Sequence, residues 1–119
     1  MKAKIYSHNL LIGTSELQIG DESMGCVFGE FLPNEHYFKN VQKYVWEFWK
    51  TNKPNYEKWN SLRFNVQLEN GYFVYAVGGY TFDDSPDFPD EQKRIDIAGI
   101  DRHVIEYFFQ KKPTDFFVE

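Results

Sequence analysis

The sequence has little of several features that define common classes of protein. It contains one cysteine, Cys26, so no disulfide can form within the chain, which suits a reducing compartment. The apolar run at residues 10–12 is shorter than the ~7–15 apolar residues of a signal peptide, and no segment approaches the ~18 of a membrane-spanning helix. We therefore expect a cytoplasmic protein without a membrane segment.

Positive charge is also scarce, with 13 Lys and Arg residues against 18 Asp and Glu and a formal net charge of −5. Nucleic acids and anionic lipids both attract basic surfaces. The charge balance therefore argues against a general nucleic-acid binder and against docking on an anionic membrane. A protein of this charge instead attracts a basic protein partner.

Aromatic residues are abundant and make up 19% of the 119 residues. That content excludes a disordered chain, and the length fits one domain covering residues 1–119. Aromatic residues in such excess are typical of contact surfaces or of a pocket for a flat ligand.

An apolar stripe at helical spacing predicts a helix from Glu35 to Lys50. Asn34 is a suitable N-cap, and Pro54 follows the end of the helix. The stripe recurs about every 3.6 residues and consists of Tyr37, Phe38, Val41, Tyr44, Val45, Phe48 and Trp49. Trp46 falls at the edge of this stripe, which indicates a second contact surface.

Two further helical segments are expected. A short turn of helix is predicted around Tyr56 to Trp59. A second main helix is predicted after Asp101, which can cap it. The apolar face of this helix would consist of Val104, Ile105, Phe108 and Phe109.

The dipeptide Asn70-Gly71 predicts a β-hairpin with a two-residue turn, since both residues tolerate positive φ. Such a turn fixes the register of the two strands. It would pair three residues on each side, all on the buried face: Leu68 with Phe73, Val66 with Tyr75, and Phe64 with Val77.

Alternating patterns predict further strands at Leu10–Ile19, Gly25–Leu32 and Arg94–Ile100, the last with Ile95 and Ile97 facing the core. Gly25 and Gly29 lie on one pleat face, which indicates close packing there, and Gly78-Gly79 predicts a bulge. The predicted architecture is an α+β two-layer sandwich. It has a mostly antiparallel sheet of about five strands, with two main helices packed on one face.

Metal-binding and nucleophilic signatures are missing from the sequence. None of the three histidines, His8, His36 and His103, has the i, i+4 spacing of a zinc helix, and Cys26 has no cysteine partner. A lone cysteine in a small domain usually behaves as a small hydrophobic residue. We expect no metal and no cofactor.

Two pairs of residues suggest acid–base chemistry, but each has a simpler interpretation. Glu16 and Glu30 can face each other across neighbouring strands, yet exposed carboxylates on strands are common. Asp101 precedes His103 by two residues, but residues at i and i+2 of a helix point apart, and a helix cap explains Asp101. We therefore predict no enzymatic activity.

Residues 83–91, here called the acidic loop, contain five acidic residues, two prolines and an isolated phenylalanine. Prolines and like charges disfavour helix and central strand, so an exposed loop is predicted. Interfaces favour aromatic anchors surrounded by charge, although the same aromatics can also pack back onto the sheet. The predicted partner-binding residues are Tyr80, Phe82, Asp83, Asp84, Asp87, Phe88, Asp90, Glu91 and Trp46.

The run Gly20-Asp21-Glu22-Ser23-Met24-Gly25-Cys26-Val27-Phe28-Gly29-Glu30-Phe31-Leu32-Pro33, followed by Tyr37, resembles a run found in small uncharacterised bacterial proteins. Those proteins carry a similar Gly-Asp-x-x-Met-Gly-x-x-x-Gly-x-Phe-x-Pro pattern, which implies no activity. In general character, a short, acidic, aromatic-rich α+β chain is similar to bacterial toxin-immunity proteins. That likeness implies a role in blocking a basic toxin.

These observations leave three functional hypotheses. The first is a non-catalytic protein-binding module, such as an immunity protein that neutralises a basic, nuclease-type bacterial toxin. The second is a small-ligand-binding or enzymatic α+β domain, with an aromatic pocket between the sheet and the helix at 35–50. The third is a homodimer whose aromatic surface meets its own copy.

Overall fold

Eight strands form one antiparallel sheet in a computed structural model that describes residues 1–51, 53–74 and 76–109, without the side chains of Glu22 and Val77. The strands alternate between inward and outward side chains, as a half-buried sheet requires. Their bounds are β1 (Lys2–Ser7), β2 (Leu10–Glu16), β3 (Gln18–Ile19), β4 (Val27–Pro33), β5 (Phe64–Leu68), β6 (Phe73–Val74), β7 (Ala76–Asp83) and β8 (Lys93–Ile100).

The α-helices of the described residues are short and lie in two segments of the chain, apart from a 3-10 turn at Glu22–Met24. Between β4 and β5 lie α1 (Glu35–Asn40), α2 (Gln42–Lys50) and α3 (Tyr56–Ser61). After β8 comes α4 (Arg102–Val104), which continues into one π-helical turn at Ile105–Phe109.

The sheet curls into a half-barrel because its two end strands are consecutive in the chain. Its order is β6-β5-β1-β2-β4-β8-β7, and β3 also pairs with β4. β6 ends at Val74 and β7 begins at Ala76. Two residues span at most about 7 Å. The sheet must therefore bend enough to bring the end of β6 close to the start of β7.

The core fills the inside of this curl. Inward residues from β1, β4, β5, β7 and β8 meet the buried side chains of α1 and α2, and the interior is rich in ring contacts. Phe31 lies edge-on to both Tyr37 and Phe82, with ring centroids 4.9 and 5.0 Å apart. Offset and edge-on rings stabilise such a core beyond the area they bury. Much of the aromatic excess is therefore internal packing.

The predicted sandwich of about five strands with two main helices on one face is wrong. Three differences account for this. β1 was not predicted, the segment Leu10–Ile19 divides into β2 and β3, and the second strand of the predicted hairpin divides into β6 and β7. The predicted helix from Glu35 to Lys50 is broken at Val41, a buried, β-branched residue whose φ of −123° is not helical. Within the described residues, the helix predicted after Asp101 is one turn of α-helix followed by the π turn.

The predicted hairpin register is also wrong, by one residue. Val66 lies opposite Val74 and Gln67 opposite Phe73, because the connection has three residues and ends on Gly71 at φ +91°. A slip of one residue moves a strand's side chains to the other face. Val74 is consequently buried and Phe73 is 55% exposed. Tyr75, the predicted partner of Val66, lies outside the described residues, as does the side chain of Val77, the predicted partner of Phe64.

Local signals at the helix ends are confirmed. The side chain of Asn34 accepts hydrogen bonds from the backbone N–H groups of His36 (2.9 Å) and Tyr37 (3.2 Å). The side chain of Asp101 accepts one from the N–H of His103 (2.8 Å). Both are standard N-caps. The predicted short helix near Tyr56 is α3, and Ile95 and Ile97 of β8 face the core as expected.

The close packing predicted at Gly25 and Gly29 is confirmed as well. A Cβ added to Gly25 would lie 2.3 Å from the carbonyl oxygen of Ile100, and one added to Gly29 would lie 2.3 Å from that of Glu16. These glycines of the Gly-Asp-x-x-Met-Gly run therefore let neighbouring backbones approach. The bulge predicted at Gly78-Gly79 is present where β7 shifts register against β8.

Within the described part of the chain, the helices are too short and too polar to cross a membrane.

Candidate functional site

The acidic loop connects β7 to β8 and has an internal hydrogen-bonded structure. The N–H of Phe88 donates to the carbonyl of Ser85 (3.1 Å), and the N–H of Glu91 donates to the carbonyl of Phe88 (3.2 Å). The hydroxyl of Ser85 accepts from the N–H of Asp87 (3.1 Å). These bonds shape the loop into consecutive turns and place Phe88, which is 60% exposed, among them.

A buried polar cluster anchors the start of this loop to the helices and to β8. The carboxylate of Asp84 accepts hydrogen bonds from the Tyr37 hydroxyl (2.5 Å) and the Gln42 amide (3.2 Å), both at Oδ2. Its Oδ1 lies 3.3 Å from Nζ of Lys93, and both side chains of this ion pair are buried. Lys93 also donates to the carbonyl of Pro89 (2.9 Å), farther along the loop. We call these four side chains, Asp84, Tyr37, Gln42 and Lys93, the Asp84 cluster.

The ion pair with Lys93 balances the charge of Asp84, whose carboxylate is not fully hydrogen-bonded. Among the described residues, no donor makes a hydrogen bond to Oδ1 of this buried carboxylate. A buried charge without a counter-charge would be costly. Burial raises the pKa of Tyr37 far above its usual value, and the hydrogen bond to Asp84 raises it further, so Tyr37 stays a neutral donor.

The predicted partner-binding residues divide into buried and exposed groups. Phe82 is fully buried in the core and Asp84 is 3% exposed, so neither can touch a partner, which corrects the prediction for both. Tyr80 is half-buried, and its hydroxyl donates to the carbonyl of Val74 (3.0 Å). The remaining charged residues of the loop are all exposed: Asp83, Asp87, Asp90 and Glu91.

Trp46 lies on the face of α2 that contacts the beginning of the loop. Gln42, Trp46 and Trp49 are spaced at i, i+4 and i+7 and so share one helix face. Gln42 binds Asp84, while the indole N–H of Trp49 donates to the carbonyl of Phe82 (2.7 Å). Trp46, between them, is half-buried. Trp46 thus shares a helix face with the two residues that bind the end of β7 and the start of the loop.

Two more exposed aromatic residues lie on the helices that hold the loop. Phe38 and Trp49 are each 49% exposed. Phe38 follows Tyr37 of the Asp84 cluster, and their rings are 5.6 Å apart. We group these two residues with Phe88 and Trp46 and call the four the aromatic rim of the acidic loop. Neither Phe38 nor Trp49 was predicted as a contact residue, because both fit the apolar stripe of the helix.

The outward face of the sheet next to the loop is also acidic. Strand register places Glu30 of β4, Arg94 of β8 and Asp83 of β7 in one cross-strand row. Arg94 is bound by the carboxylate of Asp96 (2.7 Å), which raises the pKa of Arg94, and it lies 4.1 Å from the centre of the Phe28 ring. Its charge is thus offset locally. A groove of about 920 Å³ runs along this face to the loop.

Two of the groups considered for catalysis are bound to other partners. Glu16 and Glu30 line the same groove, but Glu16 binds the N-terminal amine (2.9 Å), and Asp101 caps α4. Cys26 is half-buried rather than a core residue, and its thiol lies 3.8 Å from the carbonyl of Met24. Across residues 1–51, 53–74 and 76–109, no three His, Cys, Asp or Glu side chains are placed to hold a metal ion.

Sequence reasoning missed the anchors of the loop, although a weak signal existed. Lys93 continues the alternation of Ile95 and Ile97, and Asp84 continues that of Tyr80 and Phe82. Strand periodicity alone therefore places both charges on the inward face. An acid and a base on the inward face of neighbouring strands, both next to the loop that connects them, are expected to pair.

Comparison with family models, with curated proteins and with solved structures gave no match for this chain.

Proposed function

We propose that the protein is a non-catalytic binding module of the cytoplasm whose acidic loop and aromatic rim engage a basic protein partner. The observation that carries the proposal is the arrangement of the loop. Four exposed carboxylates flank the exposed Phe88 in sequence, on a backbone fixed by its own turns and by the buried Asp84–Lys93 pair. An aromatic anchor within a charged rim is a typical binding hot spot.

Pre-organisation makes this arrangement suitable for tight binding. A loop that is ordered before it meets its partner loses less conformational entropy on association. The four exposed carboxylates also attract a basic partner over distance and accelerate encounter at low salt. Both effects support a protein-binding role for this end of the molecule.

The charge distribution indicates the kind of partner. A nuclease-type toxin needs a basic surface to hold the phosphate backbone of its substrate. An acidic protein with exposed rings can cover that surface and block the substrate. We therefore propose that the partner is a basic, nuclease-type toxin and that this chain acts as its immunity protein.

Partner capture with two charge-matched variants tests the proposal. The loop variant changes the four exposed acids Asp83, Asp87, Asp90 and Glu91 to their amides. The control changes four exposed acids elsewhere, Glu35, Glu47, Glu57 and Glu69, to glutamine. Both variants lose the same charge.

We expect wild type and control to retain the same basic protein from a lysate of the source cells, and the loop variant to lose it. The salt dependence of binding should also weaken only in the loop variant. Equal retention by both variants would exclude the loop from the interface.

A small aromatic groove supports a second candidate, the binding of a flat ligand. The space between the sheet and α1–α2 is filled by Tyr37, Val41 and Val45, so the predicted pocket is not there. A groove of about 320 Å³ lies instead between α3 and β7, and its rings are Phe48, Tyr56, Trp59, Phe64 and Tyr80. Thermal shift against a metabolite panel tests it, because a ligand at 100 times its Kd stabilises by ~2.7 kcal/mol.

A further inference from the structure

One edge of β7 has no neighbouring strand among the described residues, since β7 ends the strand order of the sheet. An open edge carries backbone N–H and C=O groups that a strand of another molecule can bind. β7 spans Ala76–Asp83 and is, with β8, the longest strand described. Without protection, such an edge favours association between molecules.

Two tryptophan side chains donate hydrogen bonds to backbone carbonyls along this edge. The indole N–H of Trp49 donates to the carbonyl of Phe82 (2.7 Å), and that of Trp59 donates to the carbonyl of Tyr80 (3.1 Å). Carbonyls two residues apart lie on the same edge of a strand. The indoles come from α2 and α3, and Phe48 packs against both of their rings at 5.5 and 4.4 Å.

We propose that α2 and α3 form a strap that protects β7 from strand addition, and that the strand it excludes is β7 of a second copy. In an antiparallel pair centred on Thr81, Tyr80 of each copy would lie opposite Phe82 of the other. The carbonyls now bound by indoles would then bond to the other strand. Asp83 would lie opposite Gly79, so this register brings no acidic side chains together. The pair would be two-fold symmetric, the commonest form of protein dimer.

Removal of the two indole donors tests the strap. In the variant Trp49→Phe with Trp59→Phe, both N–H groups are lost while aromatic rings remain. Trp46→Phe is the matched control, because the indole N–H of Trp46 is buried and has no hydrogen-bond partner among the described residues. In sedimentation experiments, we expect only the double variant to gain a species of twice the wild-type mass.

A third substitution identifies the edge used. Thr81→Lys, added to the double variant, places two lysines at the centre of the proposed pair, and lysine on an edge opposes strand addition. It should restore the wild-type mass. If the double variant does not fold, Trp49→Phe alone is measured, because its ring is 49% exposed, and it should show the same association more weakly.

The strap is excluded if the folded variant lacking the indole donors keeps the wild-type mass. It is also excluded if Trp46→Phe associates equally, or if association survives Thr81→Lys.

Discussion

Replacement of Lys93 by methionine tests whether a buried ion pair fixes the acidic loop. Methionine occupies much of the same volume but removes the ammonium group that lies 3.3 Å from Oδ1 of Asp84 and 2.9 Å from the carbonyl of Pro89. The carboxylate of Asp84 would then keep only its hydrogen bonds from Tyr37 and Gln42. Removing one partner of a buried pair typically costs ~3–5 kcal/mol. That is a large part of the ~5–15 kcal/mol that holds a domain together.

A second variant separates the lost charge pairing from lost packing. Adding Asp84→Asn to Lys93→Met removes the uncompensated charge while the side chain can still accept a hydrogen bond from Tyr37. We expect the double variant to be more stable than Lys93→Met by about 2 kcal/mol, whereas independent losses would make it less stable. Lys39→Met is a suitable control, because Lys39 pairs with Glu35 on the surface at 4.0 Å and should contribute little.

Urea unfolding followed by tryptophan fluorescence measures these stabilities, and amide hydrogen exchange measures the loop. The N–H groups of Phe88 and Glu91 form the bonds that shape the loop, so they should exchange faster in Lys93→Met than in wild type. The reasoning is refuted if Lys93→Met unfolds at the same urea concentration as wild type. It is equally refuted if the double variant is no more stable than Lys93→Met.

Three further predictions concern stability. Burial raises the pKa of Tyr37 and Tyr80, so above pH ~10 these tyrosines ionise in the unfolded chain before they ionise in the folded protein. The free energy of unfolding should therefore fall there by up to ~1.4 kcal/mol per pH unit for each tyrosine. Tyr37→Phe should flatten this decline in a series of urea unfolding measurements at increasing pH. Arg63 has a φ of 46°, so Arg63→Gly should stabilise the fold by about 0.5–1 kcal/mol in urea unfolding, and a loss of stability would contradict this. Gly25→Ala should destabilise the fold by ~3 kcal/mol or more, because the added Cβ would meet the backbone of Ile100. Gly71→Ala, whose Cβ would have open space around it, should cost only the ~1 kcal/mol of its positive φ. Equal losses of stability in the two variants would exclude the collision at Gly25.

Features set by neighbouring residues could be predicted from the sequence. The caps Asn34 and Asp101 depend on one side chain and two adjacent N–H groups, and both were predicted correctly. The strand ending at Ile100 alternates clearly and has its predicted faces. Such signals need no knowledge of the rest of the fold.

Features set by distant residues could not be predicted in the same way. Asn70-Gly71 is compatible with a two-residue turn and with a three-residue turn that ends on glycine, and only burial of Val74 instead of Phe73 distinguishes them. β1 has little apolar surface of its own, and it is held between β2 and β5. The curl of the sheet depends on all of these pairings together.

In the candidate site, too, some features could be predicted from neighbouring residues and others depend on distant ones. The exposed acids and Phe88 follow from composition, since prolines and like charges keep a segment at the surface. The burial of Asp84 and Phe82 follows from the inward alternation of β7, which continues farther than the sequence pattern suggested. Phe38 and Trp49 could not be assigned to the surface, because a helix stripe does not show where its partner sheet ends.

The most direct test of the proposed function is an NMR titration of the labelled protein with the captured basic partner. The side chains of Trp46, Trp49 and Trp59 each give a separate indole N–H signal. We predict that the signals of Trp46 and Trp49 and the amide of Phe88 shift on binding, while that of Trp59, which is 8% exposed, does not. Shifts confined to β1 and β5, with Phe88 unchanged, would contradict the account.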